Sequence, residues 1–173
     1  LETLIPKLGG VFCIGPSFRA EPDVDERHLT EFTLIEFELP CDFSQLLVHI
    51  ENTIYGMIQS VLKNRKKELE LLSTTAHLKR ATVPFNRIKY TDAIDMLKEK
   101  FDVEWGDDLK SNHEKFIVHE LGDKPTFITH YPEAIKFFNM KRNEDNEKIV
   151  NSADLILPCT GEAVGSAQRE HDH

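Results

Sequence analysis

The first forty residues alternate between apolar and polar positions in a way that predicts two β-strands. Residues 11–14 form a short apolar run before Gly15-Pro16, which is typical of a buried strand, and an extended chain can continue through residues 17–21. Residues 32–39 alternate, so one face of a second strand would carry Phe32, Leu34, Glu36 and Glu38. We expect the two strands to pair antiparallel across a charged loop at residues 22–26.

Apolar residues at helical spacing follow the second predicted strand. Ser44 is expected to cap a long helix, whose inward face would consist of Leu47, Ile50, Ile54, Met57, Ile58, Val61 and Leu62. A second helix is expected after Thr91, with the inward residues Ala93, Ile94, Met96 and Leu97. Each of these helices would present one apolar side to a core.

Shorter apolar runs in the last third of the chain predict further strands. They lie at residues 116–118, 126–129 and 154–157, whereas the polar residues 139–148 predict a loop. Strands in runs with helices between them are typical of the α+β class. We therefore expect an α+β fold with a largely antiparallel sheet flanked by helices.

Length, charge and cysteine usage narrow the possible functions. The 173 residues suffice for one domain with a core, and the net charge of −9 argues against a protein that holds nucleic acid by its overall field. A local basic run at residues 63–67 is the exception, although such a run is usually a solvated helix end. No apolar stretch is long enough to span a membrane. Three cysteines outside any CxxC arrangement favour a reduced, cytoplasmic compartment.

One polar cluster surrounds the predicted pair of strands. Its members are Arg19, Glu21, Arg27, His28, Glu31, Phe32, Glu36 and Glu38. In a plain sheet this face would simply be solvated, and the pattern alone favours that interpretation. A functional face would instead bind a phosphate on the arginines and stack a flat ring on the phenylalanine.

A second polar cluster lies near the end of the chain. Asp154, Glu162 and Arg169 surround Gly161 and Gly165. Two carboxylates that flank a turn containing glycine are suited to Mg²⁺, although carboxylates at strand ends are common for other reasons. The sequence contains no Walker loop, no nucleophile elbow and no pair of histidines at HExxH spacing.

The first cluster resembles motif 2 of the class II aminoacyl-tRNA synthetases. Residues 17–21 (SFRAE) and 27–33 (RHLTEFT) reproduce its order of arginine, glutamate, variable loop, Arg-His and phenylalanine. Residues 84–93, 105–109, 129–132 and 135–140 are similar to the middle of the aspartate and asparagine enzymes of this class. Residues 161–170 are similar to their Gly-Glu…Gln-Arg segment. The ending Gln168-Arg169-Glu170 departs from the Gln-Arg-Ile typical of the aspartate enzymes and therefore favours the asparagine members.

The resemblance implies ATP-dependent activation of asparagine to an aminoacyl-adenylate, followed by transfer to tRNA, in a homodimer with no membrane association. Arg19 would contact the α-phosphate of ATP and the reacting carboxylate. Glu21 would contact the edge of the adenine, and Phe32 would stack under it. Arg27 and His28 would also bind ATP, with His28 near the β- and γ-phosphates.

The second cluster acquires roles from the same resemblance. Asp154 and Glu162 would bind Mg²⁺, and Arg169 would contact the side-chain oxygen of the amino acid. Residues 1–173 are interpreted as a partial catalytic domain that runs from motif 2 to the Gly-Glu…Gln-Arg segment, with motifs 1 and 3 and the anticodon-binding domain absent. We therefore expect the 173 residues alone to be inactive in adenylate formation.

The sequence is also compatible with three other functions. The substrate of the tRNA ligase could be aspartate instead of asparagine. The chain could belong to a tRNA-independent paralogue that amidates aspartyl-adenylate with ammonia, or to a non-catalytic module that keeps the fold.

Overall fold

The computed structural model describes residues 1–20, 29–72 and 75–171. The chain divides into two compact units, Leu1–Asp42 and Phe43–His173. Within the described residues, no helix combines the length and the hydropathy that crossing a bilayer requires. Cys13, Cys41 and Cys159 are all free thiols.

The first unit is built on a β-hairpin. After a 3-10 helix at Glu2–Leu4 and the short helix α1 (Ile5–Leu8), strand β1 (Val11–Phe18) pairs antiparallel with strand β2 (Glu31–Glu38). The predicted pair of strands is therefore confirmed. The predicted loop at residues 22–26 lies outside the described residues.

Helix α2 (Phe43–Asn64) is the first element of the second unit, and it differs from the sequence-based prediction in two respects. It begins at Phe43, so the prediction that Ser44 is its cap was wrong, because Ser44 lies inside the first turn. The predicted apolar face is buried only at Leu47 and Ile50, whereas Met57 is 50% exposed. Helical spacing fixes which residues share a face, but how far along the helix that face is covered depends on what packs against it.

The remaining helices and strands form a four-stranded sheet with helical connections. The helices are α3 (Lys66–Leu71), α4 (Ala76–Arg80), α5 (Tyr90–Leu97) and α6 (Ser111–Glu120), with a 3-10 turn at Glu133–Ile135. The strands β3 (Asn86–Lys89), β4 (Thr126–Thr129), β5 (Ser152–Leu157) and β6 (Gly161–Ala167) lie in this order. The β3–β4 pair is parallel and the other two pairs are antiparallel. The α+β class with a largely antiparallel sheet is confirmed.

Residues 116–118 form part of helix α6, so the prediction of a strand there was wrong. The buried residues of this helix are His113, Glu114, Ile117 and Val118, a spacing of one helical turn between two adjacent pairs. A three-residue apolar run is compatible with either a strand or a buried helix. The buried positions of the whole helix, which repeat after one helical turn, distinguish the two.

The core of the second unit covers both faces of the sheet. Ile128 and Ile156 point towards α5 and α6 and belong to a buried cluster with Tyr90, Ala93, Ile94, Leu97, Val103, Ile117, Val118 and Tyr131. On the alternate positions, Phe127 packs against Phe85 with ring centroids 6.2 Å apart. Helix α2 is tied to this side because Glu51 accepts a 2.7 Å hydrogen bond from the backbone N–H of Phe85.

Candidate functional site

Two carboxylates of the second unit lie over a glycine in the β5–β6 hairpin. Asp154 of β5 faces Gly165 of β6 in the strand register, and the register shifts before Glu162 pairs with Ile156. A Cβ atom at Gly165 would lie 3.1 Å from Glu162 Oε1 and 3.8 Å from Asp154 Oδ1. The glycine therefore leaves the space in which the two carboxylates approach each other. As predicted, the two residues flank a turn, although Gly165 lies in the strand that follows it.

A lysine and a tyrosine fix the orientation of Asp154. Lys136 Nζ donates a hydrogen bond of 2.7 Å to Asp154 Oδ2, and both side chains are largely buried. The same ammonium lies 4.0 Å from the ring centroid of Tyr131, which is a cation–π contact. Asp154 Oδ2 is thus bound by the lysine, while Oδ1 is the oxygen that lies beside Gly165 and Glu162.

The charges of the cluster are reflected in two shifted pKa values. Burial raises the pKa of Tyr131 well above its usual value, and the charge of Asp154 and a hydrogen bond to it act in the same direction. The pKa of Glu162 is also raised, first by desolvation of its carboxyl group and then by the charge of Asp154, while Lys136 lowers it. Glu162 as a residue is exposed, so its carboxyl end is the part that folds back towards the sheet. Tyr131 is therefore neutral, and the negative charge of the two carboxylates is only partly compensated by Lys136.

The donor set of this cluster fits one class of metal ion. Within the described residues, no group of three or more His, Cys, Asp or Glu side chains is arranged to hold a metal. That excludes a zinc-type cage made from those residues. Mg²⁺ is instead commonly bound by one or two carboxylates together with substrate phosphates and water, which is what Asp154 and Glu162 can offer.

Arg19 and Phe32 lie on neighbouring strands of the hairpin in the first unit. Phe32 pairs with Ser17, and the backbone N–H of Arg19 donates a 2.9 Å hydrogen bond to the carbonyl of Thr30, so the pairing continues just beyond β1. Cross-strand partners share a face, and so do residues two apart on one strand. Arg19 and Phe32 therefore share one face of the hairpin, as their predicted roles require.

Arg169 lies on a short stretch of chain paired with the loop before it. Met140 and Arg169 form an isolated antiparallel bridge. Lys141 N–H donates to the carbonyl of Gln168 at 2.8 Å, and Glu170 N–H donates to the carbonyl of Asn139 at 3.0 Å. The backbone of Arg169 is thus held in place, and its side chain is exposed. Residues 139–148 contain no helix or strand, as predicted.

Three predicted ATP-binding residues, Glu21, Arg27 and His28, lie outside the described residues. Two residues of the carboxylate cluster, Tyr131 and Lys136, were not predicted to have a role. Both residues lie in segments that resemble the aspartate and asparagine enzymes, but that resemblance gave neither of them a role. A buried carboxylate paired with a cation far along the chain cannot be found from periodicity.

The sequence is similar to one family of known proteins. The family model for class II tRNA synthetases of the D, K and N group matches residues 1–173. The asparagine–tRNA ligase of Pelotomaculum thermopropionicum is 43% identical over 172 residues, which cover 97% of this chain and 40% of the relative.

Two solved structures are also similar. One is an asparaginyl-tRNA synthetase from Pyrococcus horikoshii complexed with asparaginyl-adenylate, with 39% identity, a TM-score of 0.93, and coverage of 98% of this chain and 40% of that chain. The other is the Entamoeba histolytica asparaginyl-tRNA synthetase in complex with asparaginyl-adenylate, with 33% identity, a TM-score of 0.90 and the same coverage. The chain thus spans about 40% of the length of these relatives.

Proposed function

Because the chain belongs to the class II tRNA synthetases of the aspartate, lysine and asparagine group, we propose that it carries part of the machinery that activates asparagine with ATP and transfers it to tRNA. The observation that carries the proposal is the carboxylate pair Asp154–Glu162 over Gly165, held by Lys136. The relatives named above, two of them complexed with asparaginyl-adenylate, support asparagine as the amino acid.

The carboxylate pair is the part that we assign to Mg²⁺. Asp154 and Glu162 would hold the ion, which would supply positive charge for the phosphates of ATP. Lys136 donates to Asp154 Oδ2 at 2.7 Å, whereas Oδ1 is the oxygen on the side of Gly165. Gly165 keeps the space beside both carboxylates free of a side chain.

The hairpin is the part that we assign to ATP. Arg19 would bind the α-phosphate together with the attacking carboxylate of the amino acid, because a guanidinium can donate to both anions. Phe32, on the same face, would stack on the adenine. Glu21, Arg27 and His28 keep their expected roles towards the adenine edge and the phosphates. No general base is required, since the attacking carboxylate is already ionised at neutral pH. Catalysis would come from positioning and from charge neutralisation.

Arg169 is the residue that we assign to the amino-acid side chain. An arginine can donate to an amide oxygen and to a carboxylate, so a second group must accept from the NH₂ of asparagine. Arg169 is an exposed residue, and its backbone is fixed by the bridge to Met140, which supports a binding role. If that second group is a carboxylate, the side-chain carboxylate of aspartate would face a like charge and offer it no hydrogen-bond donor. Aspartate would then bind much more weakly than asparagine.

The same proposal covers the context of the chain. Residues 1–173 would be the part of the catalytic domain that runs from motif 2 through the Gly-Glu…Gln-Arg segment. tRNA as the acceptor, a homodimer and a cytoplasmic location would follow for the intact protein, and the three free cysteines are compatible with a reduced compartment.

The test is ATP–pyrophosphate exchange by the intact protein with asparagine or aspartate. We expect exchange with asparagine, a loss of ~10²–10³ in rate for Arg19→Ala, and little change for Arg65→Ala, which pairs with Glu68 on the surface. Arg169→Leu should impair exchange with asparagine. Better activation of aspartate would overturn the assignment of the substrate. Equal losses in Arg19→Ala and Arg65→Ala would overturn the assignment of Arg19.

A further inference from the structure

Positive charge is concentrated in one segment of this acidic chain. Residues 62–80 contain six of the 21 lysines and arginines but only two of the 30 aspartates and glutamates. The net charge of the whole chain is −9. A segment of opposite sign in such a chain marks a place where an anionic partner is attracted while the remaining surface repels it.

Described residues at both ends of this segment line a groove. The end of α2, helix α3 and helix α4 line a groove of about 420 Å³ together with Leu72 and Thr75. Lys66 of α3 and Lys79 of α4 contribute to its walls, although they are thirteen positions apart in the sequence. One carboxylate, Glu70, also lines it. A solvated helix end requires no such convergence of cations from two helices.

Most of these cations have no anionic partner in the part of the chain that the structure describes. Arg65 forms an ion pair with Glu68 at 3.7 Å. The other five side chains are exposed and form no ion pair with any described residue: Lys63, Lys66, Lys67, Lys79 and Arg80. We call these five residues the basic surface. Their charges can bind a ligand without first giving up an ion pair to one of the described carboxylates.

We propose that the basic surface binds the phosphate backbone of RNA. The inference rests on the proposed function, because tRNA is the polyanion that such an enzyme meets. Exposed lysines suit phosphate groups, which they contact as point charges and which carry no base information. The basic surface would therefore contribute affinity and orientation to tRNA without selecting its sequence.

The experiment measures tRNA binding by the intact protein. Fluorescence anisotropy with labelled tRNA would be recorded between about 50 and 200 mM salt, the range over which phosphate contacts are strongly screened. The variant is Lys66→Gln/Lys79→Gln. The matched control is Lys115→Gln/Lys148→Gln, which removes the same charge from exposed positions of the same unit.

We expect the variant to bind tRNA more weakly and its slope of log affinity against log salt to fall by about two, roughly one for each phosphate that is no longer neutralised. The decrease in affinity should be equal for cognate and non-cognate tRNA. The control should retain the wild-type slope. Wild-type affinity and slope in the Lys66→Gln/Lys79→Gln variant would overturn the proposal, as would an equal decrease in the control. Absence of asparagine-dependent exchange in the wild-type protein would instead contradict the proposed function, so the two failures are distinct.

Discussion

The two units of the chain differ in how far their side chains are removed from water. In Phe43–His173, all four residues of β4 are buried, and eighteen apolar residues among those described form the buried core. In the described part of Leu1–Asp42, no residue is buried, and Phe12 and Phe18 are 76% and 67% exposed. Residues with predicted ligand contacts lie in both units. One group is therefore fixed by a core, and the other depends on a hairpin that buries little of its own surface.

The largest expected effect comes from separating the units. An isolated hairpin is at best marginally stable in water, whereas three or more strands packed on helices can fold independently. Residues 43–173 expressed alone should show a cooperative unfolding transition by circular dichroism, and residues 1–42 alone should show none. A folded 1–42 peptide, or an unfolded 43–173 chain, would remove the distinction between the units.

A matched pair of phenylalanines tests the same distinction within the intact chain. Phe127 is fully buried in β4, so Phe127→Ala should lower the free energy of unfolding by about 3–5 kcal/mol. Phe12 is 76% exposed in β1, so Phe12→Ala should change it by no more than about 0.5 kcal/mol. Denaturant titrations of both variants measure the difference. Similar losses would mean that β1 is covered in solution.

A matched pair of glycines separates function from stability inside the second unit. An alanine at Gly165 would place its Cβ 3.1 Å from Glu162 Oε1, so that carboxylate must move. In the intact protein, we expect Gly165→Ala to raise the Mg²⁺ concentration that gives half-maximal ATP–pyrophosphate exchange by roughly tenfold. Changes around metal ligands in other proteins have effects of this size. The carboxyl end of the Glu162 side chain can move at little cost, so the free energy of unfolding should change little.

Gly56 provides the control, because it lies at an exposed position of helix α2 and has open space around the position of a Cβ. Gly56→Ala should stabilise the protein by about 1 kcal/mol and leave the Mg²⁺ requirement unchanged. An unchanged requirement in Gly165→Ala would argue against a metal ion beside this glycine.

The smallest effect concerns pH and His113 in helix α6. Burial lowers the pKa of His113, and the charge of Lys110 adds to this, while His113 Nδ1 accepts a 3.2 Å hydrogen bond from the Lys110 backbone N–H. Between the lowered pKa and the ordinary value near 6.5, the unfolded chain binds a proton that the folded chain does not. Stability should therefore decrease as the pH falls through this window.

Urea unfolding between pH 5 and pH 8 measures the contribution of His113. His113→Gln should reduce the decrease at low pH without abolishing it, because burial also lowers the pKa of His130. The exposed His49→Gln serves as the control. An identical pH dependence in wild type and His113→Gln would show that this histidine is not responsible.

Much of the local structure could be predicted from the chain. The alternation at residues 32–39 predicted β2, and the spacing of Ala93, Ile94 and Leu97 predicted the buried side of α5. Strand β3 was missed because its four residues are mostly polar and its pairing is parallel. Strand β6 was missed because small residues and glycines carry little periodic signal.

The candidate site was predictable only where a local motif carries it. Arg19 and Phe32 follow from a motif and from alternation, and their shared face needs only the register of one hairpin. The carboxylates Asp154 and Glu162 were found in the same way. Lys136 was not, because its contact with Asp154 joins residues eighteen positions apart, on a loop and a strand.

The sequence by itself determined the fold class, the family and the two carboxylates of the candidate metal site, because alternation and motif order are local properties of a chain. Only the tertiary structure decided that Gly165 makes room for those carboxylates, that Lys136 binds one of them, and that Lys66 and Lys79 line one groove. The physical reason is the same in each case. Coulomb and packing interactions depend on distance in space, and the folded backbone sets these distances between residues that are far apart in the chain.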